Sequence, residues 1–534
     1  MSSYIEPILR ICPMIREETA AYRGQVAAFL ACDVEPDKAR AYRAGMGIYE
    51  QREAGKFMVR VRIGAALATG QQLERIAELG KQYGNGILHV TTRQDIQIHG
   101  ISVEDTPDVL EGLLAVGLAS RGGGGNTVRN VTACSRAGVC PSELFDVAPY
   151  AIAAAEYLLA SESSFTLPRK FKLVFSGCPE DCAFASIADL GFFAHQQDGV
   201  DGFAVYCGGG LGSKPSIGVK IEEFIPGADI FKVAQAAKQL FSKHGDRENR
   251  NKARLRHVLG RVGVDEFIKL YRVERAEVDT DGLSQETPEI RDIESRYAST
   301  AAPERDITDL RCVSPDKTPG RVTLRLWVAN GDIPSDDLAC VARVAEQYGQ
   351  GLVRTTQQQD LLIAGIAHDD IAKVIEDLKG LSIDVSGAGA KVVSCTGAST
   401  CRLGLCDSRG LAGVINEKLS GRHLPDQARS TVIRISGCPN SCGHHNISEL
   451  GLQGRIKRVA NRPVPSYNVL IGGRMYEGAA RLGEVIGCVP AARVPDMLAE
   501  AMAGEIDDEQ LKAIVEKYGD FSEESLTEDC YSDA

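Results

Sequence analysis

Two sets of four cysteines stand out by their spacing. ACSRAGVC carries Cys134 and Cys140, and FSGCPEDC carries Cys178 and Cys182. SCTGASTC carries Cys395 and Cys401, and ISGCPNSC carries Cys438 and Cys442. Each set is C-x5-C followed, after 37 or 36 residues, by C-x3-C, and together they take half of the chain's 16 cysteines. Four thiolates gathered from two loops form a ligand set for an iron–sulfur cluster. The competing use is structural zinc, but four-cysteine zinc sites favour C-x2–4-C in both halves, which C-x5-C does not match. Cys12, Cys32, Cys207, Cys312, Cys340, Cys406, Cys488 and Cys530 have no partner pattern and read as buried or incidental thiols.

The duplication reaches beyond the cysteines. YGNGILHVTTRQDIQIHGI (83–101) repeats as YGQGLVRTTQQQDLLIAGI (348–366) at an offset of 265, which pairs Gly86 with Gly351 and Asp95 with Asp360. Each repeat opens with a strand pattern (Phe57–Gly64; Arg321–Ala329) and a helical one (GQQLERIAELGKQYG; SDDLACVARVAEQYG). A second alternating strand follows, then another helix. That order predicts an α+β protein in which each half is a small ferredoxin-like unit followed by a cysteine-bearing α/β domain, the halves related by a pseudo-twofold. The expected segments are an N-terminal extension (1–44), half-domain 1 (45–120), cysteine domain 1 (121–275), a linker (276–319), half-domain 2 (320–385), cysteine domain 2 (386–503) and a disordered acidic tail (504–534).

Composition narrows the class. The 534 residues carry a net charge of −12, which argues against general nucleic-acid binding while leaving room for a local basic pocket. No run of about 18 apolar residues suggests a membrane span. The N-terminal stretch carries charges inside any apolar core and does not read as a signal peptide, so a reducing cytoplasm is expected. The run Gly122–Gly125 lacks the Lys-Ser/Thr of a phosphate loop and reads as a turn. His444 and His445, just after C-x3-C, read as hydrogen-bonding neighbours of the loop rather than ligands. His99 reads as a sheet-face histidine.

GIYEQREAGKFMVRVR, TTRQDIQIHG, VRNV, LPRKFK and ISGCPNSC, in this order, resemble the sirohaem-dependent sulfite and nitrite reductases. The resemblance implies a sirohaem iron sharing one cysteine sulfur with a 4Fe–4S cluster and passing six electrons to sulfite or nitrite. It places the cluster on Cys395, Cys401, Cys438 and Cys442, with Cys442 bridging to the sirohaem iron. It assigns Arg60, Arg129, Lys170 and Lys172 to the substrate, and Thr91, Arg93, Arg247, Arg250 and Arg254 to sirohaem. The glycine loop YCGGGLG is expected to line the cofactor cavity, and an external donor, a ferredoxin or a reductase subunit, is implied.

The chemistry suits those residue types. Glycines such as Gly437 and Gly443 let backbone N–H groups approach the sulfurs. Arg offers a fixed fork for oxyanions and carboxylates, and Lys a compact charge that also delivers protons. A Lys among other cations has a lowered pKa and donates more readily. Lys172 adds a cation suited to doubly charged sulfite, which puts sulfite ahead of nitrite. A non-catalytic redox or oxyanion sensor is the alternative of a different class; the basic set argues against it.

One departure is marked. Assimilatory members of the family usually keep cluster cysteines in the C-terminal half alone, whereas here the N-terminal half keeps all four, closer to dissimilatory sulfite reductases. A second site would then combine Cys134, Cys140, Cys178 and Cys182 with C-terminal cations, and it is expected to hold a second cluster, with or without a non-catalytic sirohaem, beside one catalytic sirohaem at the C-terminal set. There Arg93 is replaced by Gln358, and VRNV by KVVS, with Arg321, Arg325, Arg354 and Lys391 as partial substitutes.

Overall fold

The computed structural model describes residues 8–292, 311–387, 389–504 and 507–533. Its chain is α+β, with four mixed or antiparallel sheets. The predicted strand over 87–100 is a hairpin, Ile87–Val90 paired with Ile96–Ser102, because Thr91 Oγ1 accepts the N–H groups of Arg93 and Asp95 (3.2 and 3.1 Å) and Gln94 takes a left-handed φ of 60°. The same turn recurs at Thr356, with Gln359 at φ 64°. The helix Gly70–Tyr83 starts on a reciprocal capping box between Thr69 and Gln72.

The two ferredoxin-like units exchange strands. The sheet built from Ile48–Glu50, Lys56–Val61, Ile96–Ser102 and Ile87–Val90 is completed by Asp332–Pro334 of the second repeat. Its counterpart (Val313–Pro315, Arg321–Val328, Leu361–Ala367, Leu352–Thr355) is completed by Leu67–Thr69 of the first. One apolar core therefore runs through both units, with Val59, Ile76 and Ile98 packed in the same cluster as Leu324, Val341 and Ile363.

Each cysteine domain is a five-stranded sheet whose first three strands are parallel. Thr132–Ala133, Leu173–Ser176 and Leu190–Gln197 form one, and Lys391–Ser394, Val432–Ser436 and Leu450–Val459 the other. Parallel strands open outward at their carboxyl ends, where α/β sheets place ligands. Both halves of each cysteine set leave their sheet there.

Two expectations about the connecting segments change. The acidic tail is folded: Asp508–Tyr518 is a helix that buries Leu511 and Val515 on the second cysteine domain, and Cys530 is buried in the turn after it. Its acidic residues lie on the outer face while the apolar ones fall at helical spacing, so net charge concealed an amphipathic pattern. The linker is shorter than 276–319, since the helix Val264–Asp281 runs into it and Val313–Pro315 pairs with Arg321–Val328; residues 293–310 lie outside the described residues.

Candidate active site

The C-terminal thiols converge from two adjacent parallel strands. Cys395 follows Lys391–Ser394 and its N–H bonds Ile435 O at 3.2 Å; Cys438 and Cys442 follow Val432–Ser436. Backbone N–H groups point at the sulfurs: that of Gly437 lies 3.3 Å from Cys395 Sγ and that of Leu403 3.4 Å from Cys401 Sγ. Gly437 permits this, because a Cβ there would sit 2.3 Å from Cys406 O. The N–H of Gly443, expected to face a sulfur, goes instead to Ser436 Oγ (3.0 Å), and a Cβ at Gly443 would lie 1.9 Å from Ile435 O. Burial and repulsion by neighbouring thiols raise two of these pKa values: Cys395 is pushed to about 12 by burial first and then by Cys442, and Cys438 upward by burial, Cys442 and Cys401. Four thiols that repel one another as thiolates call for a compensating positive centre. Among the described residues no three His, Cys, Asp or Glu side chains are placed to hold a single metal ion.

Cations of the N-terminal half face this set. Cys442, exposed at the loop tip, lies in the field of Lys170. Neither the Lys170 nor the Lys172 ammonium has a hydrogen-bond or ion-pair partner among the described residues. Burial, then Arg254 and Arg129, brings Lys170 down to about 7; burial, then Arg93 and Lys170, holds Lys172 well below its ordinary range. Arg129 donates to Gly123 O and Gly125 O (both 3.1 Å), and its Nε is buried without a partner. Arg60 shares Gly123 O (3.0 Å) and lies 4.0 Å from Asp95. Arg93 holds Thr132 Oγ1 (3.2 Å) and Asn130 O (2.8 Å), and burial lowers it to about 10. The glycine run 122–125 thus presents carbonyl oxygens to guanidinium groups, the reverse of a phosphate loop. Unpaired buried cations beside convergent thiols fit a carboxylate-rich macrocycle bridged to a cluster.

The remaining expected residues divide. Thr91 uses its hydroxyl to hold the hairpin turn. Arg254 engages Asp189 through Nε and Nη2 (2.9–3.2 Å). Arg247 and Arg250 are exposed on the loop 246–252, where Arg247 reaches Thr166 O (2.9 Å). Gly210 of the glycine loop backs onto Arg254 and Arg256. His444 and His445 are buried, with three ring nitrogens unpartnered, and burial drives both pKa values down. His99 is buried between Gln51 and Gln97.

Sequence reading missed several groups. Arg62, fully buried, donates to three backbone carbonyls and braces the Arg129 segment; its alternation with Arg60 in MVRVR was the available signal. Tyr49 Oη accepts the Gly125 N–H (2.9 Å) and meets Arg129. Arg169, inside LPRKFK, is lowered by burial and then by Arg250 and Arg254. Asp189 had no local signal.

Comparison with known proteins agrees with this geometry. The chain matches the "Nitrite and sulphite reductase 4Fe-4S domain" over 124–279 and 389–503, and the "Nitrite/Sulfite reductase ferredoxin-like half domain" over 49–116 and 314–381. These matches span most of the chain, which belongs to the sirohaem and 4Fe–4S nitrite and sulfite reductase family. Its members are oxidoreductases that act on nitrogen or sulfur oxyanions. Among relatives, the ferredoxin–nitrite reductase of Synechococcus elongatus is 32% identical over 84% of this chain and 86% of its own. The assimilatory ferredoxin-dependent nitrite reductase of Haloferax mediterranei is 30% identical, covering 85% and 80%. The chloroplastic ferredoxin–nitrite reductase of Arabidopsis thaliana is 28% identical, covering 82% and 75%. The solved structure of the Mycobacterium tuberculosis NirA protein shares the fold, with a TM-score of 0.77 at 21% identity over 95% and 96% of the two chains.

Proposed function

We propose that the chain reduces nitrite to ammonia at a site formed by the C-terminal cysteine set and the N-terminal cations, with electrons supplied by a ferredoxin-type donor. The observation that carries this reading is the unpaired Lys170 facing Cys442 beside Arg129, Arg93 and Lys172. Cys395, Cys401, Cys438 and Cys442 would hold the cluster, and Cys442 would bridge to sirohaem; these cofactors, when bound, supply the electron transfer.

The chain's own residues supply position and protons. Arg60 and Arg129, fixed by the carbonyls of 123–125, present their forks to an oxyanion. Converting nitrite to ammonium takes six electrons and eight protons and releases two waters. Lys170, with its pKa near neutrality, both carries charge and gives up a proton at Nζ. Lys172, beside it, adds a second ammonium where the bound anion and the macrocycle's carboxylates favour its charged form, and Arg129 and Arg93 keep the anion's charge compensated while Lys170 is neutral. Arg93, Arg247 and Arg250 are suited to the macrocycle's carboxylates.

The names of the relatives favour nitrite over the sulfite that Lys172 alone put first. Sulfite stands as the second reading because Lys172 provides the additional cation. All 16 cysteines are free thiols, which suits a reducing compartment such as the cytoplasm, and no described helix is long and apolar enough to cross a membrane.

The test is turnover of nitrite and of sulfite by anaerobically purified protein with reduced viologen, alongside extracted sirohaem. Nitrite turnover dependent on sirohaem content is expected. Sirohaem without turnover of either anion supports the sensor class instead.

A further inference from the structure

The N-terminal thiols are built on the same plan as the C-terminal ones. Cys134 leaves Thr132–Ala133 and bonds Phe175 O at 3.0 Å, as Cys395 bonds Ile435 O at 3.2 Å. Leu144 bonds Gly177 O (3.0 Å) as Leu405 bonds Gly437 O (2.9 Å). The C-x3-C loops share their backbone: Asp181 and Phe184 lie at φ 50° and 65°, Ser441 and His444 at 55° and 65°. In both sets the N–H two residues beyond the first cysteine of each pair points at that sulfur: Arg136 and Glu180 toward Cys134 and Cys178, Gly397 and Asn440 toward Cys395 and Cys438. Non-glycine residues held in left-handed backbone cost free energy and persist where surrounding structure imposes them. Donors aimed at sulfur are what a cluster uses to stabilise electron-rich thiolates.

The surroundings differ. Opposite this set, Asp360 takes two cations: Arg325 lies 3.2 Å from it and Lys391 is bonded to it, while Arg434 donates to Gln357 O (3.5 Å) and lies 5.1 Å from the Phe184 ring. Arg354 is directed to Ala137 O (3.1 Å). The place of Arg62 is taken by Trp327, with the Lys391 ammonium 5.7 Å from its ring. Glu477 closes on the C-x3-C loop from the other side, its N–H on Pro179 O (2.8 Å) and its carboxylate 3.0 Å from His195. A macrocycle rich in carboxylates would meet two cations already neutralised by Asp360 and the added carboxylate of Glu477 here.

We propose that Cys134, Cys140, Cys178 and Cys182 hold a second 4Fe–4S cluster that carries no tetrapyrrole, so that the chain contains two clusters and one sirohaem. The oxidised cluster would accept one electron at a time from the same one-electron donor that serves the active site. Its potential is expected to be the lower of the two. Glu180 and Asp181 stand where the C-terminal set has Asn440 and Ser441, Glu143 in place of Gly404 is neutralised by Lys317 (2.8 Å), and added negative charge disfavours reduction. This inference rests on the family cofactors of the proposed function.

The test uses full-length protein purified anaerobically with sirohaem supplied in the host. Iron, acid-labile sulfide, zinc and sirohaem are counted per chain, and the reduced clusters are followed by electron paramagnetic resonance during a redox titration. About nine irons and eight sulfides per sirohaem are expected, with two cluster signals, the one of lower potential absent from Cys140→Ser and Cys182→Ser. Each variant should lose about four irons while sirohaem is unchanged. About five irons per sirohaem, zinc at this set, or iron unchanged in both variants overturns the proposal, and two sirohaems per chain overturn its second half. A second signal titrating above the first overturns the charge argument. The count on the parent chain decides the matter even where a variant does not fold. A chain without sirohaem contradicts the proposed function instead, which keeps the two failures apart.

Discussion

Thr92 Oγ1 donates a 2.7 Å hydrogen bond to the carbonyl oxygen of Cys442, 350 residues further along the chain. The hairpin turn of the first repeat is thereby fastened to the C-x3-C loop of the second. Its counterpart, Gln357, donates to Ala183 O (3.4 Å), next to Cys182. The cysteine loops are also pinned reciprocally from the sides: Arg52 N–H to Thr400 O (2.9 Å) and Arg402 to Gln51 O (2.9 Å) at one set, Lys317 N–H to Val139 O (2.8 Å) and Arg136 to Pro315 O (2.5 Å) at the other. Each cysteine set is therefore a property of both halves.

Thr92→Val keeps the shape and removes the donor. It should lower the chain's stability by about 1–2 kcal/mol, because the Cys442 carbonyl loses its partner. With Cys442 less firmly placed, kcat should fall several-fold while KM and sirohaem content change little, and Thr92→Ser should restore both. Thermal unfolding and steady-state kinetics on the same preparations check this; a change in KM alone would place Thr92 in substrate binding.

Lys172→Asn removes one buried cation and leaves Lys170, Arg129 and Arg93. A doubly charged anion depends more on that charge than a singly charged one. Sulfite kcat/KM should drop by about tenfold or more, equivalent to roughly 1.4 kcal/mol or more, against a few-fold loss with nitrite. Equal losses for the two anions would refute the assignment of Lys172 to charge compensation.

Lys170 should leave a mark on stability before any cofactor is added. Its native pKa is about 7, set by burial and neighbouring cations, against about 10.4 in the unfolded chain. Between these values the unfolded state binds the proton and the native state does not, so stability rises with pH across that window. Below about pH 7 both states are protonated and the cost of the buried charge is constant. Sirohaem-free protein should therefore gain stability from pH 7 toward 10 relative to Lys170→Met, read as the difference in Tm. Sirohaem carboxylates favour the charged lysine, so loading should flatten the difference.

Local chemistry made much of this legible. Cysteine spacing, the 265-residue offset and the motif order identify both thiol sets, the duplication and the cations Arg60, Arg129, Lys170 and Lys172. What stayed hidden is what non-local pairing decides. No local pattern shows that Leu67–Thr69 belongs to the other half's sheet, since a three-residue strand carries almost no periodicity. Partnership is equally invisible: Lys391 looks as available as Lys170 in sequence, and only the fold reveals Asp360 bonded to one and, among the described residues, no carboxylate ion pair on the other. In the tail, charge composition points to disorder, whereas Leu511 and Val515, four residues apart on one face of the helix Asp508–Tyr518, supply the burial that folds it.

Arg254 shows how far such partnership redistributes roles. Asp189, wholly buried, accepts Nε and Nη2 of Arg254 and also the Lys172 N–H (2.9 Å), so this pair sets the position of Lys172 just before the chain enters the strand Leu173–Ser176 of the first cysteine domain. Arg254→Gln strands a buried carboxylate and should cost about 3–5 kcal/mol in sirohaem-free protein, a loss that a purely cofactor-binding arginine would not produce. Arg247→Gln and Arg250→Gln make the converse case. Both side chains are exposed, so the stability of sirohaem-free protein should stay within about 0.5 kcal/mol while sirohaem retention falls. Chemical denaturation of sirohaem-free protein, with sirohaem content measured after loading, separates the two behaviours. Unchanged stability in Arg254→Gln would return that residue to the cofactor, and unchanged retention in the other two would remove the loop 246–252 from the site.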